Sequence, residues 1–331
     1  MQLQVQFDHV IQLISEARHK AQIQAYQAAN RQLVDLYWNV GEYLHQQVQQ
    51  QDWGKAVIQQ LADYIKTQHP NVKGFSSQNL WRMKQFYETY KDDEKLSTLW
   101  RELSWSHNRR IMGCDTTKER EFYIRLCIKE RLSFRELDRQ INSSYYERVM
   151  LGNAKLDETI KALPQSPENI FKDTYVLEML DLPQKHDEKD LKHKISQNIR
   201  KFLLEFGRDF AFMGEEYPLQ VGNQDFAIDL LFYNRSLQCL VAIELKIERF
   251  KPAHLGQLNF YLEALDRDIK TPHENPSIGI LLCKGKDDTV VEYALSRNAS
   301  PTLVADYKVK LPEKALLKAK WEQLLEQLEE D

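Results

Sequence analysis

The amino-terminal half of the chain repeats apolar positions with the period of an α-helix. Three runs show this most clearly, and their apolar members are Val10, Ile14, Ala17, Ala21 and Ala25, then Leu33, Leu36, Tyr37, Val40 and Leu44, then Val57, Leu61, Tyr64 and Ile65. Recurrence every three or four residues predicts amphipathic helices. The third helix should end near His69, because Pro70 disfavours helical geometry in the residue before it. We therefore predict that residues 1–150 are almost entirely helical.

A helix start follows at residues 74–90, GFSSQNLWRMKQFYETY. Ser76 is a favourable N-cap, and Phe75 before it can pack on Leu80 inside the helix as a hydrophobic staple. The buried stripe of this helix is predicted to contain Leu80, Met83, Phe86 or Tyr87, and Tyr90. Two helices joined by a short connection resemble a helix-turn-helix, although the connection over 70–75 is longer than the usual length of roughly three or four residues.

The opposite face of that helix carries polar groups suited to nucleic acid. Gln78, Arg82 and Gln85 can hydrogen-bond base edges or phosphates. Further along, SWSHNRRIM places Arg109 and Arg110 together, where they can contact phosphates. A solvated polar face produces the same pattern, and periodicity alone does not separate the two interpretations. The candidate nucleic-acid-binding residues are Arg82, Gln85, Arg109 and Arg110.

The pattern changes in the second half of the chain. Prolines and polar residues between Leu163 and Pro183 indicate a linker, and the amphipathic helix LKHKISQNIRKFLLEFG then ends at Gly207. Predicted short strands follow over 210–213, 217–221, 226–233 and 237–247. A helix from Pro252 to Leu265 precedes the apolar strand PSIGILLC, and a connection of that size predicts that this strand joins the sheet in parallel. The predicted order is α-β-β-β-α-β.

Composition and charge restrict the class of protein. The 331 residues suffice for about two domains of roughly 150 residues, which we place at 1–165 and 166–331. The first 165 residues carry 23 Lys and Arg against 20 Asp and Glu, and the remainder 22 against 29, so neither half is strongly basic. The sequence shows no secretory signal and no apolar run of ~18 residues, so no membrane association is expected. Four scattered cysteines without a Cys-x-x-Cys pair favour reduced thiols in a cytoplasm.

Three charged residues interrupt strands that are otherwise apolar on both faces. Asp229 lies in FAIDLLFY, and Glu244 and Lys246 lie in LVAIELKI. A turn centred on Arg235 would place Val241 opposite Asp229 and Glu244 a few positions further, so the charged side chains should converge near one end of the sheet. Two sheltered carboxylates repel each other unless a cation lies between them, and Mg²⁺ is commonly held by one or two carboxylates. Lys246 would then orient a water or stabilise charge on a phosphoryl group.

These residues resemble the core of PD-(D/E)XK nucleases, and more closely that of YhcG-like bacterial proteins, which pair such a domain with a helical amino-terminal domain. The resemblance is carried by FAIDLLFYNRSLQCLVAIELKIERFKPAHLGQLNFYLEALD and NPSIGILLCKGKDDTVVEYAL, and by LSWSHNRRIM, EFYIRLCI and FRELDRQI in the first half. The proline that names the superfamily is absent, since Ile228 precedes Asp229. The resemblance implies an α+β two-domain chain, with an all-α, helix-turn-helix-like domain at 1–165 and an α/β restriction-endonuclease-like αβββαβ domain at 166–331.

The family pattern also implies roles for single residues. Asp229 and Glu244 are implied to be ligands of Mg²⁺ or Mn²⁺, and Lys246 the catalytic lysine. Glu205 matches a further acid that the leading helix often supplies, although an exposed glutamate at a helix end would give the same sequence. Gln257 resembles the supporting polar residue on the helix after the catalytic strand.

The resemblance implies metal-dependent hydrolysis of DNA, in bacterial defence or DNA processing, with RNA as an alternative substrate. Nucleases with this core often act as dimers, so a homodimer or a complex with other proteins is expected. The amino-terminal domain would bind DNA or a partner protein. A catalytically inactive nucleic-acid-binding or interaction module is the alternative, which the acidic second half favours and the retained charged residues oppose.

Overall fold

The computed structural model describes residues 2–50, 53–93, 95–154, 158–161, 169–183, 185–311 and 315–322. The chain forms two compact units, Met1–Asp138 and Arg139–Asp331. The predicted boundary between 165 and 166 lies outside the described residues. Because the second unit begins at Arg139, it includes residues that were predicted to belong to the helical domain.

The described part of the first unit is helical, as predicted. Its helices are α1 (Gln2–Gln50), α2 (Lys55–Gln68), α3 (Ser77–Tyr90), α4 (Leu96–Leu99), α5 (Trp105–Ile111), α6 (Thr117–Glu130) and the first part of α7 (Phe134–Asn142). Helix α1 runs without interruption through the first two apolar runs. The end of α2 at Gln68, with His69 as its C-cap, confirms the effect expected of Pro70.

Helix α3 packs closely along α1. Ser76 caps α3 as predicted, since its side chain accepts a hydrogen bond from Asn79 N at 3.3 Å. The predicted stripe is buried, and its members are Leu80, Met83, Phe86 and Tyr90. A Cβ atom added at Gly41 of α1 would lie 2.1 Å from Met83 O, so glycine permits this approach of the two backbones. That α2 and α3 form a helix-turn-helix stays a prediction.

The second unit is built on a mixed sheet. Its strands are β1 (Thr174–Val176), β2 (Phe210–Val221), β3 (Gln224–Asn234), β4 (Cys239–Arg249), β5 (Ile278–Gly285) and β6 (Thr302–Lys308), in the order β1-β6-β5-β4-β3-β2. Its helices are α8 (Tyr145–Ala154), α9 (Glu158–Lys161), α10 (Glu188–Gln197), α11 (Ile199–Phe206), α12 (His254–Ala264) and α13 (Asp288–Leu295). The predicted αβββαβ order is present from α10 to β5, with β1 before it and α13 and β6 after it.

Three predicted elements differ from those observed. The linker predicted between Leu163 and Pro183 contains β1, which is buried and pairs in parallel with β6, so this part of the segment belongs to the sheet. The strands predicted at 210–213 and 217–221 are one strand, β2, whose pairing with β3 is interrupted by an irregularity between Phe212 and Gly214. The single helix predicted before it is two helices, because Asn198 leaves helical geometry with φ −121° and ψ 29°. The predicted helix is thus divided between α10, which ends at Gln197, and α11, which begins at Ile199.

The turn between β3 and β4 is longer than predicted. The ladder ends with Asn234 opposite Cys239, which leaves residues 235–238 as the turn. Asn234 Oδ1 accepts a hydrogen bond from Leu237 N at 2.9 Å, and the Leu237 side chain is fully buried. This buried contact stabilises the longer turn, and a turn centred on Arg235 is wrong.

The longer turn changes the register of the two strands. Val241 pairs with Phe232, so the predicted pairing of Val241 with Asp229 is wrong. Continuation of the observed register brings Asp229 opposite Glu244. In the observed register the two acids lie closer together than the predicted turn would have placed them.

Both faces of the sheet are covered by helices. Side chains of β3, β4 and β5 form one apolar cluster with α10 and α11 and another with α12. Strand β4 pairs in parallel with β5, which confirms the predicted crossover and places β4 inside the sheet. Charged side chains on β4 therefore project from a largely apolar strand. Among the helices that the structure describes, none combines the length and the apolar character needed to cross a bilayer.

Candidate active site

Asp229, Glu244 and Lys246 lie together just beyond the end of the β3–β4 ladder. Glu244 and Lys246 are two positions apart on β4 and project to the same side, and Lys246 Nζ donates a hydrogen bond to Glu244 Oε1 at 2.9 Å. Asp229 Oδ2 accepts a hydrogen bond from Leu245 N at 2.8 Å, which ties the carboxylate of β3 to β4. Asp229 is 8% exposed and Glu244 2%. The structure thus brings the three residues together in a sheltered place.

Burial and the charge of Asp229 raise the pKa of Glu244 to about 7, because the hydrogen bond from Lys246 offsets them only in part. For Lys246 the balance is reversed. Burial opposes its charge, but the hydrogen bond and the negative charge of Glu244 outweigh burial and raise the pKa of the lysine. Glu244 Oε2 is buried and has no hydrogen-bond partner among the described residues. Such an oxygen is available to a cation.

Two further charged residues, which lie on α10 and were not predicted as site residues, border this cluster. Lys192 Nζ donates to Asp229 Oδ1 at 2.8 Å and lies 3.4 Å from Glu216 Oε1. Glu188 adds to the negative charge near Lys246. The sequence held one signal for them, since Glu188 and Lys192 are four positions apart and share a helix face.

The two carboxylates fit a hard divalent cation. Mg²⁺ prefers oxygen ligands and commonly takes one or two protein carboxylates, with waters and substrate phosphate completing its shell. Asp229 and Glu244 provide two carboxylates, and the buried Oε2 of Glu244 is unpaired within the described ranges. No group of three or more His, Cys, Asp or Glu side chains in the described residues is arranged to hold a metal. A metal here would therefore depend on two acids, as Mg²⁺ and Mn²⁺ sites can.

Glu205 lies in a different environment, at the end of α11. It is fully buried. Arg148 donates to its Oε1, Arg139 Nη1 donates to its Oε2 at 3.1 Å, and Lys172 Nζ lies 3.9 Å from Oε1. Burial alone would raise the pKa of Glu205, but these cations outweigh burial and lower it to about 2. Glu205 is therefore not the exposed glutamate of the alternative interpretation, and its carboxylate is bound by arginines. Its role as a further catalytic acid stays a prediction.

Gln257 lies on α12 and is exposed. Its Nε2 donates a hydrogen bond to Tyr261 Oη at 2.8 Å, one turn further along the same helix. Tyr261 itself is buried, with 4% exposure. A supporting role of Gln257 in the site stays a prediction.

The candidate nucleic-acid-binding residues of the first unit lie in different surroundings. Arg82 on α3 lies near enough to Arg109 on α5 for the two positive charges to repel each other. The pKa of Arg109 is lowered, first by burial and second by the charge of Arg82. Gln85 is exposed on α3. Arg110 differs, because its Nε donates to Asp138 Oδ1 at 2.6 Å and its charge is thereby offset.

Both halves of the chain match known families. Residues 168–323 match the YhcG PDDEXK nuclease domain, and residues 10–148 match the DUF1016 N-terminal domain. The first match contains Lys192, Asp229, Glu244 and Lys246. The second contains Arg82, Gln85, Arg109 and Arg110.

Similar proteins include a curated relative named "Putative nuclease YhcG" from Escherichia coli (strain K12). It is 28% identical over 348 aligned positions, which cover 94% of this chain and 91% of the relative. Two solved structures, a repair endonuclease from Pyrococcus abyssi and EndoMS in its apo form, are each 16% identical with a TM-score of 0.26. They match 40% of this chain and 50% and 49% of their own chains.

Proposed function

The chain belongs to the YhcG-like family of PD-(D/E)XK nuclease-domain proteins, and on that basis we propose that its second unit is a metal-dependent nuclease that hydrolyses phosphodiester bonds of DNA. The observation that carries the proposal is the convergence of Asp229, Glu244 and Lys246 on neighbouring strands. Buried ionisable groups with a strongly shifted pKa and a specific charged partner are typical of functional sites.

Asp229 and Glu244 would hold Mg²⁺ or Mn²⁺. Glu244 offers the buried Oε2, and Asp229 offers a carboxylate that Leu245 N already orients. A bound divalent ion lowers the pKa of a coordinated water and offsets charge that develops on the phosphoryl group. Because both acids are fixed by the sheet before substrate binds, little reorganisation is needed during the reaction.

Lys246 would supply positive charge beside the scissile phosphate. Its raised pKa keeps the ammonium protonated at neutral pH. A protonated lysine donates up to three hydrogen bonds, so it can contact a non-bridging phosphate oxygen or orient the attacking water. Lys246 therefore acts through hydrogen bonds and charge, and the two acids act as ligands.

The first unit would bind the nucleic acid. Arg82 and Arg109 place two neighbouring positive charges on α3 and α5, with no carboxylate acting on Arg109 among the described residues. Gln85 would contribute hydrogen bonds from the same helix as Arg82. Arg110 would contribute less, because Asp138 already offsets its charge. Phosphate contacts of this kind position a protein on DNA without reading its sequence.

Cleavage assays on the full-length protein test the proposal. Plasmid, linear and branched DNA and RNA are incubated with Mg²⁺ or Mn²⁺, and we expect Asp229→Ala and Lys246→Ala each to reduce turnover by about a hundredfold or more. The matched control is Lys189→Ala, which removes an exposed lysine of α10 and should leave turnover unchanged. Equal activity of wild type and both site variants would favour the binding-module interpretation. Cleavage of RNA alone would retain the site and change the substrate.

A further inference from the structure

Lys192 occupies an oxygen that the proposed metal site needs. Asp229 Oδ2 is tied to Leu245 N at 2.8 Å, and Asp229 Oδ1 accepts from Lys192 Nζ at 2.8 Å. Glu244 Oε1 accepts from Lys246, whereas Glu244 Oε2 is buried without a partner in the described part of the chain. Asp229 and Glu244 would hold the cation together, and Lys192 is hydrogen-bonded to one of the carboxylate oxygens of Asp229. The cation would therefore compete with Lys192 for Asp229.

A second carboxylate lies within reach of Lys192. Its Nζ already donates a second, longer hydrogen bond to Glu216 Oε1 on β2, at 3.4 Å. The Glu216 side chain is 70% exposed, whereas the Asp229 side chain is 11% exposed. Since lysine carries its charge on a flexible four-carbon chain, a small rotation can break the bond to the buried acceptor and keep the bond to the exposed one.

The charges of the cluster favour this exchange when a dication binds. In the structure the ammonium groups of Lys192 and Lys246 pair with the carboxylates of Asp229 and Glu244, and Glu216 and Glu188 add negative charge at the edge of the cluster. A divalent ion held by both acids would offset their charges and repel an ammonium a few ångströms away. Glu216 then provides Lys192 with an acceptor outside the buried site.

We propose that Lys192 is the gate of the metal site, bound to Asp229 in the metal-free protein and displaced toward Glu216 when a divalent ion binds. This inference rests on the proposed function, because it takes Asp229 and Glu244 as the metal ligands. Lys192 is a positioning residue in this scheme. It limits repulsion between the two buried acids until the ion replaces it.

Calorimetric titration with Ca²⁺ tests the gate without depending on turnover. Lys192→Gln removes the competing ammonium, so Ca²⁺ should bind about tenfold more tightly than to wild type, because a charge-assisted hydrogen bond no longer has to be broken. Lys189→Gln removes the same charge from the exposed side of α10 and should change the affinity by less than about twofold. Equal affinity of wild type and Lys192→Gln overturns the gate.

A double substitution separates the gate from general electrostatics. Glu216→Gln removes the outer acceptor, so Ca²⁺ should bind about threefold more weakly, the size of an exposed ion pair. In the protein that carries both Lys192→Gln and Glu216→Gln this loss should disappear, because no ammonium remains to be displaced. If Glu216→Gln weakens binding equally with and without Lys192, Glu216 acts only through its charge and the gate is overturned.

Separate readouts distinguish the gate from folding and from nuclease function. Metal-free Lys192→Gln should unfold at a lower temperature than wild type, and Ca²⁺ should raise its Tm by more. If Lys192→Gln fails to fold, the Glu216→Gln protein still tests the gate. A Ca²⁺ affinity of Glu216→Gln equal to that of wild type overturns the gate. Absence of Ca²⁺ binding in every variant overturns the gate and the metal part of the proposed function together. The predicted pattern of Ca²⁺ affinities without any cleavage supports the gate and overturns only the nuclease.

Discussion

At the scale of single residues, two buried glutamates of the second unit have opposite chemistry. Burial would raise the pKa of Glu205, but the charge of Arg148 and of two further cations lowers it to about 2. Burial and the charge of Asp229 raise the pKa of Glu244 to about 7. Glu205 is thus a permanent anion inside the core, whereas Glu244 can change its charge near neutral pH. The neighbouring charges, and not burial itself, decide which glutamate suits a reactive site.

Glu205→Gln is expected to lower the free energy of unfolding by about 3–5 kcal/mol at neutral pH, because removing one partner of a buried ion pair leaves the other charge uncompensated. That charge is on Arg148, which is fully buried. Denaturant titration measures the loss. The control is Glu178→Gln, since Glu178 also accepts from Arg139 but is 24% exposed, and it should cost below about 1 kcal/mol. A Glu205→Gln protein as stable as wild type would contradict a structural role.

The stability difference between wild type and Glu205→Gln should also depend on pH in a defined direction. The pKa of Glu205 is about 2 in the folded protein and about 4.3 in an unfolded chain. Its carboxylate therefore stabilises the fold fully above about pH 4.3, and this contribution is lost as the pH falls toward 2. The difference should be constant at higher pH and shrink below that value. A difference that grows on acidification would refute the assignment.

At the scale of elements, the turn between β3 and β4 decides which charged residues meet. Residues 235–238 form this turn, and the resulting register brings Asp229 opposite Glu244. The hydrogen bond from Leu237 N to Asn234 Oδ1 closes the turn from inside the core. A local contact between two uncharged residues thus positions the acids of the candidate site.

Asn234→Ala is expected to lower the free energy of unfolding by about 1–3 kcal/mol, because the buried N–H of Leu237 loses its acceptor. Thermal or denaturant unfolding of the full-length protein measures this. Ser236→Ala in the same turn is the control, since Ser236 is exposed and should change stability by less than about 0.5 kcal/mol. Equal stability of the two variants would show that the Asn234 hydrogen bond does not stabilise the turn.

The charged residues of β3 and β4 could be predicted because each interrupts a run that is apolar on both faces. The break at Asn198 could not be predicted, because the helical periodicity of apolar residues continues across it from LKHKISQ to IRKFLLEF. The partners of Glu205 were also inaccessible to local patterns. Arg139 and Arg148 are 66 and 57 positions away along the chain, so only the fold brings them to this carboxylate.

At the scale of the whole molecule, the two units would carry separate tasks. The first unit has the neighbouring Arg82 and Arg109, and the second has the acids and lysines of the candidate site. Because neither half is strongly basic, DNA binding would depend on a few local contacts. Substitutions in the first unit should then change DNA affinity, and substitutions in the second should change turnover.

Arg82→Ala combined with Arg109→Ala is expected to weaken DNA binding and to reduce the slope of log K against log salt by about 1.8, the value for two lost phosphate contacts on duplex DNA. Fluorescence anisotropy at several salt concentrations measures both quantities. Arg125→Ala is the control, because Arg125 is paired with Glu121 on α6. An unchanged slope in the double variant would assign Arg82 and Arg109 to a solvated surface.

The guanidinium groups around Glu205 also decide how the protein can be dissected. The nuclease-domain match begins at residue 168, but Arg139 and Arg148 lie before that point and belong to the second compact unit. A fragment that begins at residue 168 would contain the buried carboxylate of Glu205 but would lack both of its arginine partners. If such a fragment did not cleave DNA, the cause would be its unfolding. The result would be misread as proof that the amino-terminal helices take part in the chemistry.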